Sequence, residues 1–578
     1  MLEVAAPAPD EATLEGWRQR VARARVHLGW AVGRASPPQV VARRHSGGAS
    51  LALAAPPDQL FVATEVNEWA LCAALLERSP GEWSGLEAAL AAAAVEDASD
   101  PASVILPVLE ESAALVRLER LARQEANPRL LTLLNSATAR GLQHSADDHA
   151  LTLGAGVGHR DFALTGLPEA TAVIWRSLGN IPTAMVTGSN GKTTTVRLLA
   201  SCARAHGWLP AYSCTDGVFV DGEIIASGDY SGPAGARLVI RDARAQAAVL
   251  ETARGGILRR GIAVSRADVA VVTNISSDHF GEFGVDDLGG LAEVKLSVVA
   301  VLPPEGLLIL NADDPVLREK SMLLGQRFGH VPQLGWFALD ADNPVLREHR
   351  ARGGSTCGVR DRRLLLSDRG GDHDLGPIGA MPLTVQGSAI YNIANLAGAA
   401  LAARALGIPA VTIGAVCARF AADPADNLGR MMRFNVAGVQ VLLDYAHNPA
   451  GLRGLLSVAE HLRAGRGRLG LVLGHAGNRR DAEIEQLARV AAEFRPAFIV
   501  VKENESHLRG REPGEVPRLI RAALLKEGMA ESVLPMCGTE VEAARRALDW
   551  AQPGDVLAMP VHAASARASV LRMLEGTD

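Results

Sequence analysis

The 578-residue sequence has no C-x-x-C pair, no extended run of lysine and arginine, and no apolar segment of membrane length free of interruption. Its six cysteines, Cys72, Cys202, Cys214, Cys357, Cys417 and Cys537, lie far apart. Such spacing argues against a thiol-pair motif and reads as reduced, mostly buried thiols. The formal charge is −6, so there is no general basic field for DNA or RNA, and an anionic ligand needs a local site. The opening segment MLEVAAPAPDEATLEGW has acids and no Lys or Arg before Arg18, the reverse of a secretory n-region. The most apolar stretch, IANLAGAALAARALGIPAVTIGAVCARF, is broken by Arg404 and Pro409, which suits packed helices better than a membrane span. A cytoplasmic protein with no nucleic-acid or membrane partner is expected.

The length calls for two to four domains. Residues 1–166 are rich in Ala and Leu, with the helical stretch ESAALVRLERLARQEANPRLLTLLNSA and the more strand-like ASLALAAPPDQLFVATEV. They read as a small α+β domain for docking or substrate holding. In residues 167–426, from about Ile181, short β-branched runs (PTAMVT, AAVLE, VAVVTN, LLILN) end in polar residues and alternate with helical patterns, predicting α/β structure. The glycine-rich stretch between Gly325 and Gly387 is expected to be an antiparallel excursion. Residues 427–578 repeat the α/β texture, with strands VQVLLDYAH, RLGLVLG, AFIVVKE and DVLAMP, and predict a Rossmann-like domain. Ligands are expected at the carboxyl ends of both sets of parallel strands.

The segment TGSNGKTTTVRLLA follows the first of these strands and opens a helix. A glycine-rich turn in that setting aims backbone N–H groups at phosphate oxygens. Gly188, Asn190 and Gly191 would shape the cradle, Lys192 would reach the β/γ-phosphates, Thr193 would hold magnesium, and Thr194 would complete the loop. An ordinary strand-to-helix turn is the alternative. Only two residues separate Gly188 from Gly191, against four in the common nucleotide loop.

That short spacing, together with TDGVFVDGEIIASGDYSGPAGA, VLETARGGILRRG, TNISSDHFGEFG, LAEVK, LILNADDP, YNIANLAGAA, DYAHNPAGL and HLRGREPGEV, resembles the ATP-dependent Mur ligases, a group that includes folylpolyglutamate and cyanophycin synthetases. The likeness runs from about Ile181 to the C-terminus and is strongest to the Mur-like half of cyanophycin synthetases. It implies a three-domain Mur-ligase-like α/β architecture: a central P-loop ATPase domain, a C-terminal Rossmann-like domain and the small N-terminal one. It also implies that Glu251 and His279 hold magnesium ions, and that Lys295 is a lysine carbamylated to an anion in this group. Asn392 would contact adenine, Arg430 would reach nucleotide phosphate from the closing domain, and Asp444 would hold the ribose. Four of these have a plain alternative: a strand-end acid for Glu251, a hydrogen-bonded histidine for His279, a solvated helix lysine for Lys295 and a helix N-cap for Asn392.

The sequence departs from the group at two places. Asn478 stands where a G-D-R motif has aspartate, although Arg479 is kept. No lysine and metal-acid pattern of an ATP-grasp domain precedes the loop, although LTLGAGVGHRDFALTG faintly resembles the start of one. The implied reaction joins a carboxylate to an amino-acid amine through an acyl phosphate, with ATP, Mg2+ and release of ADP (EC 6.3.2 type). Arginine is one candidate amine. Lys502, Arg509 and Arg511 stand where the incoming amino acid's carboxylate could be bound, and solvated surface charge is the equal alternative. A homo-oligomer or a partner ligase is left open. Two other readings stand beside it. One is a catalytically weak ATP-binding partner or regulator of another ligase. The other is a P-loop kinase or simple NTPase, which leaves Asn392, Arg430 and Asp444 without a purpose.

Overall fold

The structure is a computed structural model that describes residues 1–30, 40–45, 47–78, 111–277 and 280–576. The strands expected from β-branched runs assemble into two separate parallel sheets. In the larger sheet, of 11 strands, Pro210–Cys214, Ala247–Glu251, Thr183–Thr187, Val269–Val272, Leu307–Asn311, Gln333–Asp340 and Ser355–Arg360 lie side by side and parallel. Antiparallel strands close both edges: Gly217–Val220 and Glu223–Ser227 on one side, Arg363–Asp368 and Gly371–Pro377 on the other. The excursion expected between Gly325 and Gly387 is thus an extension of the same sheet.

Side chains alternate along a strand, so each parallel strand can feed two cores. In Thr183–Thr187, Met185 joins the apolar cluster on one face while Ala184 and Val186 join the other. Helices Lys192–Ala205 and Ile390–Ala405 cover the second face. The latter helix is so rich in alanine that it lies close to the sheet. A Cβ on its Gly398 would come within 3.2 Å of the Phe337 ring.

The second sheet has six strands, with Val439–Asp444, Val556–Pro560, Leu469–Leu473, Phe498–Lys502 and Met536–Cys537 parallel and Met432–Val436 antiparallel at one edge. It too is covered on both faces. In the N-terminal region, three antiparallel strands, Leu2–Ala5, Val40–His45 and Gly48–Leu53, pack against helices Glu11–His27, Leu60–Arg78 and Glu111–Glu125. One expectation fails here: LFVATEV, read as strand-like, begins a helix. The cause is the turn after Pro56 and Pro57, beyond which Val62, Val66, Ala70 and Ala74 recur at helical spacing and are buried. The long helical stretch divides at Asn127, which caps helix Pro128–Ala139 through Leu130 N. LTLGAGVGHRDFALTG supplies two strands of a small antiparallel sheet, Ala150–Leu153 and Arg160–Ala163.

Candidate active site

The carboxyl ends of both parallel sheets open onto one cleft of about 1140 Å³, bordered also by His45 and Gly47 of the N-terminal region. The glycine-rich turn between strand Thr183–Thr187 and helix Lys192–Ala205 forms its floor. Gly188 and Gly191 have left-handed φ of 147° and 83°. A Cβ at either would lie 1.8 Å from Thr273 Oγ1 or 2.1 Å from Asn395 Oδ1, so glycine is required by space as well as by backbone. Neighbouring strand ends mould the residues between them. Ser189 N and Asn190 N donate to Asn274 O and Oδ1 at 2.9 and 3.0 Å, and Thr273 Oγ1 donates to Asn190 O at 2.6 Å. Asn190 Oδ1 also accepts from Asn448 Nδ2 of the C-terminal domain at 2.9 Å. Helix Lys192–Ala205 starts at Gly191 with no side-chain cap, so its first N–H groups face the cleft at the positive end of the helix dipole.

Two lysines converge on the loop. Lys192 Nζ donates to Gly188 O and Ser189 O at 3.0 and 3.1 Å, and Lys295 Nζ donates to Gly188 O at 2.7 Å. Lys295 is 3% exposed, which removes the solvated-helix alternative for it. Next to them Thr193 Oγ1 donates to Glu251 Oε2 at 2.8 Å, and Thr215 Oγ1 to Glu251 Oε1 at 3.1 Å. Glu251 is 2% exposed. One carboxylate and two hydroxyls make a hard-oxygen set suited to Mg2+. Among the described residues no three His, Cys, Asp or Glu side chains gather around a common point. His279 lies outside the described residues.

Thr194 Oγ1 accepts from Asn427 Nδ2 at 3.3 Å. Asn392 is buried in the first turn of helix Ile390–Ala405, capped by Ala389, so it is not the N-cap. Its Nδ2 donates to Leu383 O at 3.0 Å and its Oδ1 accepts from Asn395 Nδ2 at 3.1 Å. Asp444 accepts from Met431 N at 2.7 Å and Ala446 N at 2.8 Å. Burial raises its carboxyl above the usual range despite those bonds and the nearby Arg430 charge. The Arg430 guanidinium lies 4.2 Å from the Tyr445 ring centroid and 3.6 Å from Asp216. Asp216 also takes Arg197 at 2.8 Å and Arg567 at 2.6 Å. Burial would raise Asp216, but the three arginines outweigh it and hold the carboxyl below its ordinary value.

The amino-acid-binding expectation is divided. Arg509 lines the cleft. Arg511 is turned away to Asp481, Glu515 and the backbone oxygens of Gly477 and Arg479. Lys502 is neither a ligand at the rim nor surface charge: it is fully buried and paired with Glu540, with His562 Nδ1 at 3.3 Å. Sequence reasoning missed Thr215, Asp216, Asn274 and Tyr445. All four lie in quoted segments, TDGVFVDG, TNISSDHFGEFG and DYAHNP, and only their contacts reveal them: Thr215 with Glu251, Asn274 with Asn190, Asp216 with Arg430 and Arg567 across the domains, and Tyr445 with Arg430.

Residues 186–330 match the Mur ligase middle domain, and residues 429–559 match the Mur ligase glutamate ligase domain. These two spans belong to the Mur ligase family. A cyanophycin synthetase from Nostoc sp. (strain PCC 7120) is 34% identical over 404 residues, covering 69% of this chain and 43% of that protein. The match therefore takes in less than half of that relative. A UDP-N-acetylmuramoyl-L-alanyl-D-glutamate–2,6-diaminopimelate ligase from Alkalilimnicola ehrlichii is 28% identical over 384 residues, covering 64% of this chain and 69% of that one. Among solved structures, a Mycobacterium tuberculosis folylpolyglutamate synthase complexed with ADP and AMPPCP is 18% identical, with a TM-score of 0.49 over 69% of this chain and 92% of that one. The Mur ligase spans contain every loop and strand end that forms the floor around Glu251, Lys192 and Lys295.

Proposed function

We propose that this chain is an ADP-forming, ATP-dependent ligase that activates a carboxylate as an acyl phosphate and joins it to an amino-acid amine. One observation carries the reading: an uncapped helix N-terminus, two lysines and a buried hydroxyl–carboxylate set share one cleft between two α/β domains. Those groups suit phosphoryl transfer, where positioning and charge stabilisation do most of the work.

In this reading the triphosphate lies along Ser189–Thr194, with Lys192 on its outer phosphates. Thr193, Thr215 and Glu251 would hold Mg2+, with His279 as a further candidate. Bound there, the ion would neutralise charge building up on the transferred phosphoryl group. Lys295, if carbamylated, would present an anion to the same ion. The substrate carboxylate attacks the γ-phosphorus, the bond from that phosphorus to the bridging oxygen breaks, and ADP leaves. The amine then attacks the acyl carbon and phosphate departs with its electron pair, leaving an amide after loss of a proton. Asn392 is assigned to adenine, Asp444 to the ribose and Arg430 to phosphate, which requires Arg430 to exchange Asp216 for the nucleotide. The cleft walls would keep the acyl phosphate from water.

The test is ADP release measured across a panel of amino acids with acidic peptides and with small carboxylates as acceptors. Amine-dependent ADP formation supports the ligase. Tight ATP binding with no amine-dependent turnover would sink it in favour of a regulator of another ligase.

A further inference from the structure

Glu282 occupies a corner where three regions of the chain meet. It opens the tight turn Glu282–Val285, in which Val285 N donates to Glu282 O at 3.3 Å and Gly281 N donates to Val285 O at 3.0 Å. Both central residues are left-handed, Phe283 with φ 55° and Gly284 with φ 67°, as in the primed turns of hairpins. A phenylalanine in that conformation is strained and persists only when its surroundings impose it.

The surroundings do impose it. From the N-terminal region, Arg43 Cβ would be 2.8 Å from a Cβ at Gly284, and the His45 ring is 6.4 Å from that of Phe283. From the central domain, Arg254 at the start of helix Arg254–Arg260, three residues past Glu251, forms an ion pair with Glu282. From the C-terminal domain, Asn478 Nδ2 donates to Glu282 Oε1 at 2.8 Å, and Glu483 Oε1 accepts from Phe280 N at 3.3 Å.

The side chain at 478 follows from this corner. An ionised carboxylate only accepts hydrogen bonds, so the asparagine must face Glu282 with its NH2 group. An aspartate there would set two carboxylates within hydrogen-bond distance in a half-buried site, where like charges repel strongly. We propose that Glu282 is a positioning residue that presents a carboxylate from the central domain to both Arg254 and Asn478, joining that domain to the C-terminal one. Arg254, Glu282 and Asn478 form a clasp that fixes the Gly474–Arg480 loop of the C-terminal domain over the phosphate loop. Its consequence for turnover rests on the ligase reading; the clasp itself does not.

The full chain tests it with Asn478→Asp, Glu282→Gln and the double variant. Asn478→Asp is expected to raise the KM for the amino acid on the order of tenfold, with a smaller change in the KM for ATP. Adding Glu282→Gln, which gives the carboxylate at 478 an amide partner, should bring it back to within about threefold of the parent. Small-angle scattering without substrate should show a larger radius of gyration for Asn478→Asp than for the parent or the double variant. A parent-like Asn478→Asp by scattering, or a double variant no more compact than the single one, overturns the clasp. An inactive parent whose variants still follow the scattering pattern overturns the ligase reading and leaves the clasp standing. Should Asn478→Asp fail to fold, Asn478→Ala, which removes the hydrogen bond without adding charge, must also expand the particle, and a compact Asn478→Ala overturns the proposal.

Discussion

Lys295 in the central domain and Lys502 in the C-terminal domain are both buried, and both stand in segments singled out for chemistry, yet they end in opposite surroundings. Lys295 reaches the carbonyl of Gly188 on the floor of the cleft. Lys502, the last residue of strand Phe498–Lys502, ends at the carboxyl edge of the other sheet against Glu540, whose carboxylate also accepts from the backbone N–H groups of His562 and Ala563. Burial lowers the Lys502 ammonium, and Glu540 works against that drop. Burial would raise Glu540, but the Lys502 charge and the interactions with His562 together outweigh it and hold that carboxyl far below its usual range. The contrast is one of partners: a loop carbonyl on the cleft floor for Lys295 and a fixed counter-charge for Lys502.

The largest effect that would break this contrast is at the phosphate loop. Lys192→Ala should abolish ATP turnover, by at least about a hundredfold in kcat. Unchanged ATP hydrolysis in that variant contradicts the assignment. Lys295→Ala should fall nearly as far and be partly rescued by small carboxylic acids, because they can replace a carbamate. Full activity without any added acid counts against carbamylation. Lys502 should behave differently. Lys502→Met leaves Glu540 charged, buried and without its lysine, a loss of about 3–5 kcal/mol visible as a lower unfolding midpoint, while Lys502→Met with Glu540→Gln, which removes the buried charge and keeps an acceptor for the His562 and Ala563 N–H groups, should recover most of it. If the double variant melts as early as the single one, the buried charge of Glu540 is not what destabilises Lys502→Met.

A smaller effect is expected with pH. Burial, followed by the Lys502 charge, pushes the His562 imidazole down to about 4, against about 6.5 for a free histidine. Between those values the unfolded chain takes up a proton that the folded chain refuses. The stability tied to His562 is therefore complete above about pH 6.5 and declines as pH falls toward 4. Thermal melts at stepped pH should show that slope, and His562→Gln should flatten it.

Much of this was legible in the residues. The β-branched runs from PTAMVT to DVLAMP all became strands, because parallel strands buried on both faces need long apolar stretches with few competing patterns. The loop at Gly188–Lys192 was legible because its chemistry is local. Glu282, Asp216 and Lys502 were not, since their partners lie 196, 351 and 38 residues away and a sequence does not state which distant charges meet. LFVATEV shows the same limit at short range: its β-branched residues suit a strand, but the face they bury against Trp17 and Leu51 sets a helix.

The Gly188 carbonyl, shared by two ammonium groups, has a consequence for how a ligand is received. A lysine gives up about 2 kcal/mol of rotamer freedom when it is immobilised. Here folding has already immobilised both. For Lys192, binding becomes an exchange of loop carbonyls for an arriving anion, and for Lys295 a carbamate would be carried on a side chain already held in place, so the disorder each would otherwise lose has been lost beforehand.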